Sequence, residues 1–126
     1  MDTTTTYQQT YRVYAEDVDF MGIVYHANYL CFFERARTEM LRKKNLFLSD
    51  LMQQNILFAI HDIHIRYKAP ARLDDLLTIN TLVKRSGACT FIFNQLMQNQ
   101  QEKVLCEAEI QVVSVDKNLR PRRFPQ

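Results

Sequence analysis

The stretch Asp17–Lys44 reads DVDFMGIVYHANYLCFFERARTEMLRKK, and it decides the fold. From Ala27 onward it contains no glycine or proline, and apolar side chains recur three and four positions apart. This spacing predicts a helix of about 18 residues, about 27 Å long, with one broad apolar face. The residues on that face are Tyr29, Leu30, Phe32, Phe33, Ala36, Met40 and Leu41. One sheet wrapped around one central helix would bury such a face.

Alternating apolar and polar residues predict five strands around this helix. The predicted strands are Tyr7–Tyr14, Ile56–Ala69, Leu76–Lys84, Ala88–Gln98 and Lys103–Val115. A short helical turn is predicted at Leu51–Asn55, and the tail Asp116–Gln126 is predicted to be irregular. Short connections between the last three strands are typical of antiparallel hairpins.

This element order predicts a single α+β domain over residues 1–126, in which a five-stranded antiparallel sheet curls over the helix. One such sheet covers only one face of the helix and has two open edges. Open edges and a half-covered helix favour association with a second copy. We therefore expect a homodimer, or a larger assembly such as a homotetramer.

Composition excludes several classes of function. The net charge is only +2 and the basic residues are scattered among acids, which argues against nucleic acid as a partner. No apolar run is long enough to span a membrane, and residues 1–6 do not resemble a signal peptide. The cysteines Cys31, Cys89 and Cys106 lack metal-ligand spacing, so we expect buried, reduced thiols in a cytoplasmic protein. The histidines and carboxylates predict no metal site.

Asp19 is the candidate for chemistry, and two interpretations of it are open. An aspartate three residues before Gly22 is commonly a turn or capping residue. However, the apolar run Phe20–Tyr25 that follows is expected to be internal, and a carboxylate against such a run is poorly hydrated. The nearby helix start offers free backbone N–H groups to a developing oxyanion. Together they are sufficient for hydrolysis of an activated acyl group.

The pattern Asp19-x-x-Gly-Ile-Val-Tyr-His-x-x-Tyr29 resembles the signature of the 4-hydroxybenzoyl-CoA thioesterase family, which has the hotdog fold. The segments Glu34–Leu41 and Tyr67–Asp75 are similar to one branch of it, the acyl-CoA thioesterases encoded with the bacterial Tol–Pal envelope system. The resemblance covers nearly the whole chain. It implies a hotdog dimer that hydrolyses acyl-CoA thioesters at sites between its subunits, with no cofactor apart from the coenzyme A of the substrate.

The resemblance implies that Asp19 attacks the thioester carbonyl or acts as a general base on water. Backbone N–H groups near Tyr25 and His26 would polarise the carbonyl. The His26 side chain either contacts substrate or steers Asp19, or is merely a helix-start residue. The side chains of Tyr25 and Tyr29 are expected to form core or pocket wall, and Asp17 to support the turn.

The phosphates of coenzyme A require cationic or polar contacts. Relatives have a basic cluster between the third and fourth strands, where this chain is less basic. Arg85 and Thr90 are the candidates here, with Arg120 and Arg122 as possible supplements. The alternative for all four residues is an ordinary solvated surface.

Short-chain or aryl acyl groups are expected from the family branch. The alternative function is a protein that binds acyl carrier protein or lipid-synthesis enzymes, with incidental hydrolysis. A hydratase of the same fold is disfavoured because the chain lacks the corresponding motif.

Overall fold

A five-stranded sheet curls around one long helix in the computed structural model, which describes residues 5–125. The helices are α1 (Asn28–Lys43) and α2 (Leu48–Gln53), and a single 3₁₀ turn covers Ala15–Asp17. The strands are β1 (Tyr7–Arg12), β2 (Leu57–Tyr67), β3 (Leu76–Arg85), β4 (Thr90–Gln98) and β5 (Val104–Val115). The predicted α+β class and the predicted order of elements are confirmed.

The strands lie in the order β1-β3-β4-β5-β2, and every neighbouring pair is antiparallel. The sheet edges are therefore β1 and β2, as expected for an open sheet. β2 is the longer edge, with 11 residues, and its register against β5 shifts between Ile60 and Asp62. Such a bulge bends the strand and increases its twist.

The core lies between α1 and one face of the sheet. Strands β3 and β4 alternate, so that every second side chain is buried against the helix. On α1 the buried residues are Tyr29, Phe32, Phe33, Ala36, Met40 and Leu41. The predicted apolar face is thus confirmed, except that Leu30 is only partly buried. Full burial of each large apolar side chain contributes about 1.5–3 kcal/mol.

A buried amide ties α1 to the sheet. The side-chain nitrogen of Gln95 donates to the Phe33 carbonyl at 2.9 Å and to the Thr81 hydroxyl at 3.0 Å. Its oxygen accepts from the Arg37 guanidinium at 3.0 Å. Gln95 is only 3% exposed, so each of these bonds replaces a hydrogen bond to water that the Gln95 amide lost on burial. The network fixes the position of the helix along the sheet, which apolar packing alone does less strictly.

Several predicted boundaries need correction. β1 ends at Arg12 because Val13 instead exchanges backbone hydrogen bonds with Asp74 and Asp75. β2 begins one residue later than predicted and ends at Tyr67, because the next two N–H groups both bond the Leu105 carbonyl. α2 begins at Leu48, three residues earlier than the predicted turn. These changes do not alter the topology.

The prediction of three buried cysteines is wrong for two of them. Cys106 is buried, and this burial raises the pKa of its thiol to about 12. Cys89 is half-buried, while Cys31 is exposed on α1. Cys31 is exposed because one sheet covers only one face of the helix, whereas Cys89 lies in the connection just before β4. All three are free thiols, as predicted.

The tail after β5 is irregular, as predicted, but it is packed. Phe124 is 1% exposed, and its ring contacts those of Phe58 and Phe91 at centroid distances of 5.6 and 5.3 Å. Its N–H donates to the Ala88 carbonyl at 3.1 Å, and its carbonyl accepts from Arg85 at 2.8 Å. The tail therefore closes the end of the core opposite the start of α1.

Candidate active site

Asp19 opens a tight turn ahead of α1. Its carbonyl accepts the N–H of Gly22 at 3.0 Å, and its Oδ1 accepts the N–H of Met21 at 2.8 Å. Gly22 has a φ of +78°, a conformation that glycine adopts at little cost. Among residues 5–125, no donor is bonded to the second carboxylate oxygen of Asp19. The turn role is thus confirmed, and one carboxylate oxygen is left for other contacts.

The apolar run after Asp19 is not internal in the single chain, and that expectation is wrong. Phe20 is 99% exposed, Met21 67% and Tyr25 49%, and Asp19 itself is half-buried. The turn projects from the sheet and is covered from one side only. Exposed apolar side chains clustered on one loop are typical of an interaction surface. Low hydration of Asp19 would therefore require a second molecule over this loop.

The start of α1 leaves backbone donors free. Ala27 is the N-cap, no side chain among residues 5–125 caps the helix, and its first turn contains no acidic residue. The Tyr25 N–H, one of the expected carbonyl-polarising groups, is already bonded to the Asp17 carbonyl at 3.2 Å. The N–H groups of His26 and Ala27 have no acceptor in the described part of the chain. They lie at the positive end of a 16-residue helix, where an anionic oxygen is stabilised.

The side chains of Tyr25 and His26 contact each other with ring centroids 4.3 Å apart. Both are exposed, and within residues 5–125 no hydrogen bond joins the His26 ring to Asp19. Within the single chain, therefore, no contact supports a role of His26 in steering Asp19. Tyr29 is 3% exposed and belongs to the core, as expected.

A segment distant in sequence holds this loop from behind. The Val24 N–H donates to the Ala71 carbonyl at 2.8 Å, and the Ala71 N–H donates to the Tyr29 hydroxyl at 3.0 Å. The Leu73 N–H donates to the Gly22 carbonyl at 3.1 Å. These contacts join the turn that begins at Asp19 to the segment that begins at Tyr67, which the sequence analysis linked to one branch of the family. The first positions the carboxylate, and the second fixes the backbone of the first.

Tyr67 was singled out by the sequence only as part of that pattern, without a role. Its hydroxyl donates to the His26 carbonyl at 2.8 Å, and its ring meets that of Tyr29 edge-on at 5.1 Å. Nothing in the periodicity of β2 signals a hydrogen bond to a residue 41 positions earlier.

Asp17 supports the turn, as predicted. Its side chain is 9% exposed and accepts the Tyr14 N–H at 2.8 Å, while its carbonyl accepts from the Asn28 amide at 3.1 Å. The first bond closes the 3₁₀ turn on its own N-cap, and the second joins the turn to the start of α1. The Asp17 side chain is thus used in a hydrogen bond within the turn, whereas one carboxylate oxygen of Asp19 remains without a hydrogen bond among residues 5–125.

Arg85, a candidate for the coenzyme A phosphates, is bonded within its own protomer. Its guanidinium donates to the carbonyls of Gly87, Ala88 and Phe124 at 2.8–3.0 Å. Thr90 is half-buried at the first position of β4. Arg85 therefore fixes the β3–β4 connection and the tail, a role that the sequence did not predict.

The two supplementary arginines lie in the tail. The N–H of Arg120 bonds the carboxylate of Asp116, which closes a turn, and the Arg122 guanidinium donates to the Asn55 carbonyl at 3.3 Å. Both are exposed. They are on the side of the molecule that holds Arg85, away from Asp19.

A cavity of about 220 Å³ lies between α1, α2 and the first half of β2. Its lining is mainly apolar, with Glu34, Arg37 and Thr38 as the polar contributors. The apolar lining residues are Leu41, Leu48, Met52, Ile56, Leu57, Phe58, Ile60, Phe93 and Val112. No local pattern predicts this cavity, because its walls come from five different elements.

Residues 5–125 contain neither a metal-binding cluster nor a membrane-spanning helix. No group of three or more histidine, cysteine, aspartate or glutamate side chains is arranged to hold a metal ion. In the same range, no helix has the length and hydropathy required to cross a bilayer.

Comparison with known proteins places the chain among enzymes. A sequence model of the thioesterase-like superfamily matches residues 13–126. Acyl-CoA thioester hydrolase YbgC from Escherichia coli is 42% identical over 124 residues, which cover 98% of this chain and 92% of that protein. Acyl-CoA thioesterase YbgC from Haemophilus influenzae is 43% identical over 118 residues, which cover 91% of this chain and 85% of that protein.

Among solved structures, a 1,4-dihydroxy-2-naphthoyl-CoA thioesterase from Synechocystis superposes with a TM-score of 0.90. The superposition covers 97% of this chain and 91% of that one, at 22% sequence identity. At this identity the likeness shows a shared fold.

Proposed function

Since the chain belongs to the thioesterase-like superfamily and has its hotdog fold, we propose that it hydrolyses acyl-CoA thioesters to a free acid and coenzyme A. The observation that carries this proposal is the 42% identity, over 98% of the chain, to a protein named acyl-CoA thioester hydrolase. The free N–H groups beside the Asp19 turn suit the chemistry. No cofactor is proposed beyond the coenzyme A that the substrate itself contains.

In the proposed mechanism the thioester carbonyl oxygen lies against the free N–H groups of His26 and Ala27. As a general base, Asp19 takes a proton from water, whose oxygen adds to the carbonyl carbon before the thiolate of coenzyme A leaves. As a nucleophile, Asp19 adds directly and expels the thiolate, and water then cleaves the mixed anhydride. Negative charge develops on the carbonyl oxygen in both routes, so one lost donor lowers the rate by about 10²–10³-fold. Tyr25 would form the site wall beside His26.

The proposed site is shared between two protomers. Within one protomer β3 begins beside the Asp19 loop and ends at Arg85, about 30 Å away for ten residues of extended chain. Antiparallel pairing of two β2 strands about a two-fold axis would place the Phe58 end of one protomer beside the Tyr67 end of the other. One substrate could then meet Asp19 of one protomer and the Arg85 side of its partner.

This arrangement also indicates a function for the cavity between α1, α2 and β2. In such a dimer the cavity at the Phe58 end would face the partner's Asp19 loop, so we propose that it accepts the acyl group. Its volume of about 220 Å³ lies below the roughly 300–1,000 Å³ of sites for drug-sized ligands. This size favours short-chain or single-ring acyl groups, in agreement with the prediction from the sequence.

The apolar edge of the sheet supports a homodimer that forms through β2. A homotetramer built from two such dimers is the alternative assembly. Ile60 is 48% exposed, Ile63 37% and Tyr67 47%, all on the face of β2 that packs toward the core. Together with the exposed loop after Asp19, they form a patch that a second copy would cover.

Ile63→Arg is therefore expected to convert the assembly to monomers, because it places an unpaired charge in the middle of the proposed interface. Light scattering at a fixed protomer concentration measures the mass. Leu119→Arg is the matched control, since it adds the same charge at an exposed apolar residue of the tail. An unchanged mass for Ile63→Arg would contradict assembly through β2.

Arg85 and Thr90 are kept as the proposed coenzyme A contacts, with Arg120 and Arg122 as supplements on the same side. Because the Arg85 guanidinium is bonded to three carbonyls, Arg85 would contribute to coenzyme A binding partly indirectly, by fixing the shape of the β3–β4 connection. We also propose a cytoplasmic location and a link to the Tol–Pal system, as the resemblance to that family branch implies.

The second candidate function is binding of acyl carrier protein or lipid-synthesis enzymes, with hydrolysis incidental. Incubation with a panel of short, long and aromatic acyl-CoAs, followed by free-thiol detection, separates the two. We expect turnover of at least one thioester, and inertness toward the entire panel would favour the binding function. Because Cys31 is an exposed thiol, the signal of enzyme without substrate has to be subtracted.

A further inference from the structure

Within residues 5–125, the hydroxyl of Tyr67 is the one side-chain group of β2 that bonds the backbone at the start of α1. It donates to the His26 carbonyl at 2.8 Å. The ring is held separately, by its edge-on contact with Tyr29, and β2 places it by pairing with Cys106 of β5. The hydroxyl contact is therefore made from a rigid strand to a loop whose neighbouring donors are free.

The bonded carbonyl belongs to the peptide that joins His26 to Ala27. In a trans peptide the C=O and N–H groups point in opposite directions in one plane. A hydroxyl that holds the His26 carbonyl on one side consequently aims the Ala27 N–H to the other side. It also fixes ψ of His26, the residue that carries the second free N–H. Donation to the carbonyl further polarises the peptide, which makes its N–H a better donor.

We propose that Tyr67 is a positioning residue for the two backbone donors that stabilise the carbonyl oxygen of the substrate. This inference rests on the proposed function and adds a residue to it. Tyr67 does not touch the reacting atoms in this assignment. It acts through the peptide that it holds.

The protonation state agrees with this role. Partial burial raises the pKa of Tyr67 above its usual value, with the neighbouring Cys106 as a smaller cause. The hydroxyl is therefore a proton donor throughout the neutral range and does not introduce a pH dependence of its own. Since the ring remains in place without the oxygen, phenylalanine removes the contact and little else.

Tyr67→Phe is expected to lower kcat about tenfold while KM changes by less than about twofold, because oriented donors act mainly on the transition state. Tyr7→Phe is the matched control, since it removes a hydroxyl from β1, at the opposite edge of the sheet. We expect the control to match the wild type. An unchanged kcat, or a rise in KM alone, would overturn the proposal.

A spectroscopic readout excludes a merely structural effect. A substrate analogue in which a methylene group replaces the thioester sulfur binds without being cleaved, and its ketone stretching frequency reports polarisation by the donors. We expect the frequency to fall on binding to the wild type and to fall less on binding to Tyr67→Phe. An equal fall in both proteins, or a loss of rate that only follows a loss of folded protein, would overturn the assignment.

Failure of this inference is distinguishable from failure of the proposed function. If the wild type cleaves no thioester of the panel, the hydrolase itself is refuted, and the Tyr67 assignment with it. If the wild type is active and Tyr67→Phe is equally active, only the positioning role is refuted.

Discussion

Asp19→Asn is expected to lower kcat for thioester hydrolysis by about 10³-fold, within the range for removal of a general base. The substitution is well matched to the structure. An asparagine side-chain oxygen can still accept the Met21 N–H, as Oδ1 of Asp19 does at 2.8 Å. The turn should therefore persist, and the melting temperature and assembly should equal those of the wild type. What is lost is the negative charge and the basic oxygen.

Asp17→Asn is the control for this result. Asp17 also lies in the acidic turn, but its carboxylate accepts the Tyr14 N–H, and an amide oxygen can replace it there. We expect kcat to stay within about threefold of the wild type, since no transition-state contact is removed. Full activity of Asp19→Asn would refute the mechanism while leaving the enzyme class intact. Loss of activity in both variants would indicate damage to the turn instead.

Isotope labelling separates the two roles of Asp19. In a single turnover in water enriched in oxygen-18, the nucleophilic route leaves the heavy atom on the enzyme when the mixed anhydride is cleaved at the Asp19 carbonyl. The general-base route transfers it to the product acid only. Heavy oxygen in the peptide that contains Asp19, detected by mass spectrometry, therefore establishes the nucleophilic route.

Phe124→Ala is expected to destabilise the protein by about 3–5 kcal/mol, the range for removing a large aromatic side chain from a core. The ring is 1% exposed and contacts two other aromatic rings, so its loss opens a cavity at the end of the core. For a chain of this size, the melting temperature should fall by about 10–20 °C. Thermal unfolding at a fixed protomer concentration measures it, because assembly would also affect the value.

Two variants control for this result. Arg123→Ala alters the exposed neighbour of Phe124 and should change the melting temperature by no more than about 2 °C. Phe124→Leu keeps most of the apolar volume and should lose much less stability than Phe124→Ala. A melting temperature of Phe124→Ala equal to that of the wild type would mean that the tail does not contribute to the core in solution.

Local patterns predicted most of the fold. Helix α1 could be found because its apolar positions recur at the helical period and no glycine or proline interrupts them. The five strands could be found because alternation is also local. Predictions failed where a distant contact outweighed a local preference: β1 stops early because Val13 bonds to Asp74 and Asp75, and Cys31 is exposed because the sheet covers one face of α1.

The sequence by itself determined the α+β class, the central helix, the turn at Gly22 and Asp19 as the candidate carboxylate. Each of these depends on residues within a few positions of one another, so periodicity and residue type are sufficient. Only the tertiary structure decided which backbone donors are free, and that Tyr67 holds the His26 carbonyl, Arg85 holds the tail and Phe124 closes the core. Those contacts join residues tens of positions apart, and the burial and hydrogen bonding that stabilise them exist only once the sheet has closed around the helix.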